Sequence, residues 1–525
     1  MPKIISQIIT TRRGQLLLPT LSFNPAYIFV GLVALLYAAA ILNMPPMLSA
    51  ALVLGSVFFV LTLRRPILGL YLMVLSVPGQ DLTSATVGTN RVTLTQMAVL
   101  LTLVAWLTHS VIYKKCLVPR PTPILLPFFL VFIGVQVLSL LVATSTADGL
   151  NEISRWLITF FAYLVTTSVV KTRQQFWGLV FCLMVGTVLE GVLGILQTQL
   201  GIGAAGIEIS TALGRAVGTF VLPNPYGAYL EHGLPIILAV WLMWLRVRNQ
   251  SVREWLKSAL PATGQTRRNL FRSYFALIFL GIGLLTGLLG VINSQSVGTW
   301  LGMLVAGIAM LAVRGFKATR LILLILAVGG LGYLAVQTEL IPAKAFDRIA
   351  SHTQELLPFD VTNVRVTPDN YAVVERMAMW QAGGNMFLSS PWFGVGIGNF
   401  TAVYNKFNMP VWIYSRGHAH NYYINISAEC GLLGLAAYLA LMLTALAHAW
   451  KTTRRTRDWK LRYVAWGSLG VVTAIMAHNV VENLHVLNMG IQWSAILAAF
   501  YIIQRLDEEP SPVALPAISN SSQLL

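Results

Sequence analysis

The stretch YFALIFLGIGLLTGLLGVI, residues 274–292, carries no charge and approaches the length needed to cross the hydrocarbon core of a bilayer. Similar, nearly uncharged stretches occur at 26–42, 123–143 and 431–447. Over all 525 residues, 56% are hydrophobic and only 10% are charged. The sequence therefore predicts an all-α polytopic membrane protein with a single membrane domain.

Hydropathy predicts about 12–14 transmembrane helices. Fourteen segments are candidates, roughly 26–42, 46–63, 66–78, 93–113, 123–143, 153–170, 176–200, 227–245, 273–293, 297–313, 319–337, 421–449, 461–480 and 486–504. Residues 1–25 lack the pattern of a cleavable signal peptide, so we expect the first span to act as an anchor.

The net charge of +17 follows from membrane topology. With the amino terminus in the cytoplasm, 27 of the 36 lysines and arginines fall on the inner side. This asymmetry is the positive-inside rule, so we predict both termini in the cytoplasm and no nucleic-acid partner. Cys116, Cys182 and Cys430 are scattered without a CxxC pattern, which predicts neither a disulfide framework nor a metal cluster.

Three connecting segments are long: the predicted outer segments 201–226 and 338–420 and the predicted inner segment 246–272. The outer segment 338–420 is too long for a plain connector, and within it 371–388 has the spacing of an interfacial helix, with Trp380 at headgroup depth. The inner segment 246–272 is basic and would face lipid headgroups.

The predicted organisation is a cytoplasmic tail (1–25), N-terminal transmembrane helices (26–200), transmembrane helices with an Arg-bearing outer loop (201–337), a large extracytoplasmic loop (338–420), C-terminal transmembrane helices (421–505) and a disordered cytoplasmic tail (506–525).

The most informative motif for function is RGHAHNYYINISAECGLLG, residues 416–434. His420 stands where the outer segment re-enters the membrane, and both a helix N-terminus and the nearby Arg416 would keep its imidazole neutral. A neutral imidazole can accept a proton, so His420 is the predicted general base. His418 could equally be the base or a supporting partner, and the simpler alternative is that His420 and Asn421 only cap the helix.

The residues after His420 predict support for this site. Asn421, Asn425 and Glu429 recur at helical spacing and would form a polar stripe on one face. Gly431 and Gly434 would allow close packing with a neighbouring helix.

Three arginines are candidates for binding a diphosphate. Arg215, in the outer loop 201–226, could supply a planar fork for bidentate recognition, or it could contact lipid phosphate instead. Arg376 and Arg416 could bind the same group, although Arg376 could equally be a surface residue. Glu231 is an intramembrane acid and hence a functional candidate, unless it simply pairs with Arg215.

A second polar cluster is HNVVENLH at 478–485. Glu482, His478 and His485 could line the same cavity, but a packing network between helices is favoured. The sequence contains no DxD, HExxH or Walker motif, so it predicts no metal and no other cofactor.

These motifs resemble the O-antigen ligase and polymerase superfamily. The resemblance rests on H-N-x9-G-x-x-G from His420 to Gly434, on GRAVGTFVLPNPYGAYL at 214–230, and on RMAMW…SSPWFGVGIGNF between Arg376 and Phe400. The first 200 residues are similar only as hydrophobic spans. One departure is Ser296-Val297-Gly298, where members of the superfamily often carry S-R-G, so Arg376 or Arg416 would take over any role of that arginine.

The resemblance implies a multi-pass glycosyltransferase in a bacterial plasma (inner) membrane, with an extracytoplasmic active site. Its donor would be a glycan on undecaprenyl pyrophosphate, its acceptor a glycan or lipid-glycan such as lipid A-core, and its other partners membrane lipids. A polymerase of the same superfamily is the nearest alternative, followed by a flippase for the same lipid. A flippase would carry charges along a midplane cavity, whereas the charges here are predicted at the outer surface.

Overall fold

The structure is a computed structural model, which describes residues 46–80, 84–87, 90–113, 117–201, 214–257, 264–317, 320, 359–367 and 370–508. Two predicted spans, 26–42 and 319–337, lie outside these residues apart from Arg320. The tail 1–25 also lies outside them. The chain divides into two units, Met1–Leu61 and Thr62–Leu525. The described part of the first unit belongs to one helix.

The described residues are predominantly helical, as predicted. The helices are α1 (Pro46–Arg64), α2 (Pro66–Leu75), α3 (Leu94–Ile112), α4 (Leu126–Ser139), α5 (Thr146–Val169), α6 (Arg173–Leu200), α7 (Pro223–Lys257), α8 (Gly264–Ser294), α9 (Val297–Val313), α10 (Tyr371–Ser389), α11 (Phe400–Val403), α12 (Tyr422–Arg455), α13 (Trp459–His478) and α14 (Gly490–Glu508). Single 3₁₀ turns follow α4 at Leu140–Val142 and α11 at Tyr404–Lys406. Because α14 continues to Glu508, the predicted disordered tail 506–525 begins too early.

A small hairpin is the exception to the all-α prediction. Strands β1 (Ser84–Val87) and β2 (Asn90–Thr93) pair antiparallel between α2 and α3. Their β-branched residues favour extended structure. Thr93 then ends the hairpin and starts α3 through a capping box, in which Gln96 N–H donates to Thr93 Oγ1 at 3.2 Å.

The helices have the length and composition of a polytopic membrane protein. Among the described residues, five helices are long and apolar enough to cross a membrane: α3, α6, α7, α8 and α12. Shorter apolar helices include α2 and α9. On α8 the side chains of Phe275, Ile278 and Leu285 are more than half exposed, as expected of a face that contacts lipid.

Helices α13 and α14 form the centre of the bundle. Nearly every residue of α13 from Val464 to Ile475 is buried, and most of α14 is buried as well. Helix α13 packs against α7, α9 and α12, while α14 packs against α5. A helix that is buried on all sides is held in place by its neighbours, and this fixes the segment that joins α13 to α14.

Helix α12 is broken at Gly431, where φ is 65° and ψ is −161°. The break frees backbone carbonyls, and the turn-rich segment 391–396 binds them: Val395 N–H donates to Ala428 O at 3.0 Å and Gly396 N–H to Glu429 O at 2.9 Å. In the other direction, the N–H of Leu432 donates to a carbonyl of the same segment at 2.7 Å. Segment 391–396 is thereby hydrogen-bonded to the N-terminal part of α12.

The prediction that Gly431 and Gly434 admit a neighbouring helix is wrong. A Cβ at Gly431 would lie 2.3 Å from the backbone carbon of Trp392, in the segment 391–396. A Cβ at Gly434 would lie 2.2 Å from Cβ of Cys430, in its own helix. The glycines serve the break in α12 and its contact with the loop.

We predict that Gly431→Ala destabilises the protein by on the order of 1–3 kcal/mol, because alanine resists the positive φ and collides with the backbone of Trp392. Gly384→Ala, on helix α10, is the matched control, since an added Cβ there meets nothing within 4 Å. Thermal unfolding of both variants in detergent measures the difference. Equal midpoints for the two variants would contradict the role given to Gly431.

Candidate active site

His420 and Glu482 form a hydrogen-bonded pair at the N-terminal end of α12. Nδ1 of His420 lies 2.9 Å from Oε1 of Glu482, although the residues are 62 positions apart. Glu482 belongs to the segment between α13 and α14 and is 6% exposed. His420 adopts a positive φ of 51°, which is uncommon outside glycine and found often at functional sites.

The ends of the helices bring this pair together. Tyr422 N–H, in the first turn of α12, donates to the carbonyls of Asn479 at 2.8 Å and Glu482 at 3.2 Å. Asn421 caps α12 by accepting a hydrogen bond from Ile424 N–H at 3.1 Å. The capping role considered for Asn421 is therefore real, whereas His420 does not cap the helix and contacts a carboxylate.

His418 lies beside His420 and has a different set of contacts. Its Nδ1 accepts a hydrogen bond from the backbone N–H of His420 at 3.0 Å, and the two rings are 4.4 Å apart in an edge-on arrangement. Since Nδ1 is an acceptor, the proton of the neutral ring is on Nε2. That Nε2 lies 3.7 Å from Oε1 of Glu482.

The surroundings shift the pKa values of His418 and Glu482 downward. Burial is the main cause that lowers the pKa of His418 from 6.5 to about 4, and Glu482 opposes it only in part. Burial alone would raise the pKa of Glu482, but the charge and hydrogen bond of His420 hold it well below its ordinary value. At neutral pH the site therefore combines a neutral His418 with a carboxylate.

A second chain of hydrogen bonds reaches Glu482 from Arg215. Oε2 of Glu482 accepts from Nδ2 of Asn224 at 2.7 Å, and Oδ1 of Asn224 accepts from Nη2 of Arg215 at 3.2 Å. Arg215 also donates to the backbone carbonyls of Ser294 at 2.8 Å and Gln295 at 3.3 Å, at the end of α8. A single residue, Asn224, therefore links Arg215 to Glu482 through hydrogen bonds. Most of the guanidinium N–H groups of Arg215 are directed at acceptors within the protein.

Glu231 does not pair with Arg215. It is fully buried in α7, and its carboxylate lies 3.0 and 3.1 Å from Nδ1 of His478. His485 is also buried and lies 2.9 Å from the hydroxyl of Tyr438. The HNVVENLH cluster is therefore divided: Glu482 joins the site, while His478 and His485 belong to the helix-packing network that the sequence favoured for all three.

Two arginines act on the histidine–carboxylate cluster through their charge. Arg376, on α10, contributes to the lowered pKa of both His418 and Glu482. Arg155, on α5, contributes to the lowered pKa of His418; its side chain is 53% exposed and contacts Glu152 at 2.6 Å. Arg155 was missed by the sequence analysis, where its only signal is a cation near the start of an apolar span.

Arg416 has a different neighbour from the one predicted. Its Nε donates to Oε1 of Glu375 at 2.7 Å, and its Nη2 lies 3.5 Å from the hydroxyl of Tyr371. Both partners are on α10. Because the ion pair with Glu375 offsets the charge of Arg416, this residue holds the loop against α10. The charges that shift the pKa values of His418 and Glu482 come from other residues.

Helix α10 covers the site more closely than an interfacial helix would. Its residues Val374, Met377 and Ala378 are buried, and it packs against α12. The indole N–H of Trp380 donates to the backbone carbonyl of His420 at 3.4 Å. The prediction of a helix at 371–388 is thus confirmed, but Trp380 contacts the site instead of lying only among headgroups.

The polar stripe of α12 anchors the surrounding loops. Oδ1 of Asn425 accepts from Ala419 N–H at 3.0 Å, between the two histidines. Oε1 of Glu429 accepts from Phe400 N–H at 3.1 Å. Asn425 and Glu429 are both buried, so their hydrogen bonds hold the histidine segment and the end of segment 391–400 against one helix.

His418, His420 and Glu482 could together hold a metal ion. One ligand atom from each lies within 4.8 Å of the others. The separation of 2.9 Å between His420 Nδ1 and Glu482 Oε1 is that of a hydrogen bond and is shorter than the roughly 3.3 Å between two ligands of a tetrahedral zinc ion. The arrangement fits a proton-bearing pair better than a metal centre.

Comparison with known proteins supports the predicted resemblance. Residues 282–439 match the family model described as O-Antigen ligase. No curated protein gives a significant match to the chain. The family match confirms the similarity to the O-antigen ligase superfamily and indicates membrane glycan processing of the ligase or polymerase type. It includes His418, His420 and Arg376, whereas Arg215 and Glu482 lie outside the matched residues.

We predict that His418 makes stability depend on pH between 6.5 and 5. Its pKa is about 4 in the folded protein and near 6.5 in an exposed chain, so the unfolded state binds more protons and the free energy of unfolding falls as pH falls. The free energy of unfolding changes by at most about 1.4 kcal/mol per pH unit through this one group. Glu482 contributes only below about pH 4.5, its ordinary pKa, because its folded pKa is lower still.

His418→Asn tests this dependence, since the asparagine oxygen can still accept the N–H of His420 but does not titrate. Unfolding midpoints measured from pH 6.5 to 5 should fall less steeply in the variant than in the wild type. Parallel curves would contradict the lowered pKa of His418.

Proposed function

We propose that the protein is a membrane glycosyltransferase that transfers a glycan from undecaprenyl pyrophosphate to a hydroxyl of an acceptor sugar, on lipid A-core or another surface glycan. The family match supports glycan processing of the ligase or polymerase type. The observation that carries the mechanism is the 2.9 Å contact between His420 Nδ1 and Glu482 Oε1. It provides a base whose proton and lone pair have defined positions.

In this mechanism Glu482 sets the tautomer of His420. The carboxylate accepts the Nδ1 proton, so Nε2 carries a lone pair that can take the proton of the acceptor hydroxyl. The acceptor oxygen forms a bond to the anomeric carbon as the bond from that carbon to the pyrophosphate oxygen breaks. The proton ends on Nε2, and the pyrophosphate leaves as an anion.

His418 supports His420 and does not compete with it as the base. Its Nδ1 already accepts the backbone N–H of His420, and burial keeps its pKa near 4. The remaining proton on Nε2 is available as a hydrogen-bond donor. Of the two alternatives that the sequence left open, these contacts support His420 as the base.

Arg376 is proposed to stabilise the leaving diphosphate, with Arg155 as a second cation. The charges of both arginines lower the pKa of His418, which supports a role for both in the electrostatics of the site. Fixed guanidinium groups can stabilise developing phosphate charge without a metal ion. Arg215 contributes indirectly, because its contact with Asn224 holds the amide that donates to Glu482.

The site is proposed to face the extracytoplasmic side of the plasma membrane. Helix α12 starts at the site and ends in Arg454 and Arg455, followed by further basic residues up to Arg462. The positive-inside rule assigns that basic end to the cytoplasm, together with both termini. A polymerase would use the same donor chemistry, and the two functions differ in whether the acceptor is another lipid-linked unit.

We predict that His420→Gln lowers the rate of transfer by roughly 100-fold or more, because glutamine cannot accept a proton. His418→Asn is the control and should lose less than about tenfold, since it keeps the acceptor at the position of Nδ1. The assay combines purified protein, a synthetic polyprenyl-pyrophosphate glycan and candidate acceptors, with and without a chelator. A larger loss in His418→Asn than in His420→Gln would reverse the assignment, and loss of wild-type activity on chelation would replace it with a metal site.

We predict that Arg376→Gln impairs turnover by roughly 10- to 100-fold, because it removes a cation near the leaving group. Arg416→Gln, in the same outer segment, should have a much smaller effect, since Glu375 already offsets that charge. Single-turnover rates with saturating acceptor compare the two variants. Equal losses would indicate that both arginines act only by holding the loop in place.

A further inference from the structure

Four arginines line a cavity where α12 ends and α13 begins. The candidate active site lies at the other end of these two helices. Arg246 comes from α7, Arg314 from the end of α9, Arg454 from the last turn of α12 and Arg462 from the start of α13. The cavity has a volume of about 270 Å³. Helix α12, which begins two residues after His420 and ends at Arg455, separates this cavity from the candidate active site. We call these four side chains and their cavity the arginine pocket.

The floor of the arginine pocket is aromatic. Cζ of Arg246 lies 4.8 Å from the ring centre of Trp459. Cζ of Arg314 lies 4.2 Å from the ring centre of Trp466 and 5.0 Å from that of Tyr463. A guanidinium stacked on a ring by its face is held in place, while the N–H groups in its plane can still bind an acceptor.

The charges of the arginine pocket are not balanced by protein acids. No aspartate or glutamate lines the cavity among the described residues, and none of the ion pairs found there involves the four arginines. Several cations gathered in one concave site repel one another unless an anion is bound.

Helix electrostatics explain only part of this arrangement. Arg314 and Arg454 lie at helix C-termini, where a cation is favourable. Arg462 donates to the backbone carbonyls of Thr456 at 2.7 Å and Arg457 at 3.4 Å. Arg246 lies inside α7, which continues to Lys257, so neither explanation applies to it.

A larger neighbouring cavity adds an apolar wall. It has a volume of about 570 Å³ and shares Arg246, Arg314, Tyr463 and Trp466 with the arginine pocket. Its other lining residues are the apolar Leu242, Leu245, Leu311 and Phe316 and the polar Asn249, Gln250 and Arg253. The combined site offers cations for a phosphate and apolar side chains for a hydrocarbon chain.

We propose that the arginine pocket binds the phosphate group of an anionic phospholipid headgroup, with the lipid chain along the neighbouring apolar wall. Arginine stacked on an aromatic ring suits phosphate, which accepts hydrogen bonds from several N–H groups at once. The apolar wall favours a lipid over a soluble phosphate compound. The proposal does not depend on glycosyl transfer.

The test compares protein in nanodiscs of phosphatidylcholine alone and of phosphatidylcholine with phosphatidylglycerol. Native mass spectrometry counts the lipids retained, and thermal unfolding measures the stabilisation. The variants are Arg246→Gln, Arg314→Gln and the double variant; Arg268→Gln is the control, an exposed arginine on α8 that lines neither cavity. A third arm adds inorganic phosphate to phosphatidylcholine discs.

We expect phosphatidylglycerol to raise the unfolding midpoint of the wild type and of Arg268→Gln and to be retained by both. Affinity should fall roughly fivefold for each pocket arginine lost. Unfolding in pure phosphatidylcholine reveals any variant that is damaged without lipid. A response to inorganic phosphate that the double variant loses would support the phosphate site but assign it to a soluble ligand. Equal lipid retention and stabilisation in the wild type and the double variant would overturn the proposal.

Discussion

The contact between His420 and Glu482 is the interaction on which the candidate site depends. It joins the start of α12 to the segment between α13 and α14, and it places a carboxylate in a position where water is largely excluded. Removing a carboxylate from water costs free energy unless hydrogen bonds replace the water. Glu482 obtains them from His420 and Asn224, and this requirement ties three parts of the bundle together. The same low exposure keeps His418 neutral, so the two adjacent imidazoles differ in what they can do.

The break in α12 extends this constraint to the segment between α10 and α12. Gly431 interrupts the helix, and segment 391–396 satisfies the carbonyls that the break releases. Phe400 N–H then binds Glu429, and Trp380 of α10 binds the carbonyl of His420. Each contact uses a polar group that a straight helix or an independent loop would leave without a partner. The loop is therefore held close to His420, and the charge of Arg376 lowers the pKa of His418 and of Glu482.

The sequence predicted the parts of this arrangement that depend on composition and periodicity. Uncharged stretches such as 274–292 identified the membrane helices, and the motif at 416–434 identified His420. Glu482 was placed with a packing network, because nothing local shows that the turn after α13 folds back onto Tyr422. The diphosphate role of Arg215 stays a prediction, but its contacts with the carbonyls at the end of α8 are not visible in the sequence, because a lone arginine in a glycine-rich loop gives no sign of them. Gly431 was assigned to helix packing because a strained φ is visible only in the folded chain.

The most direct test is the rate of a single transfer event in Glu482→Gln, measured against pH beside the wild type. The amide keeps the shape of the side chain but removes the negative charge, and its NH2 group can donate a hydrogen bond to His420 where the carboxylate accepts one. The account predicts a fall of roughly 100-fold or more at neutral pH, with the variant still folded and still binding donor. A rate within a few-fold of the wild type over the whole pH range would contradict it.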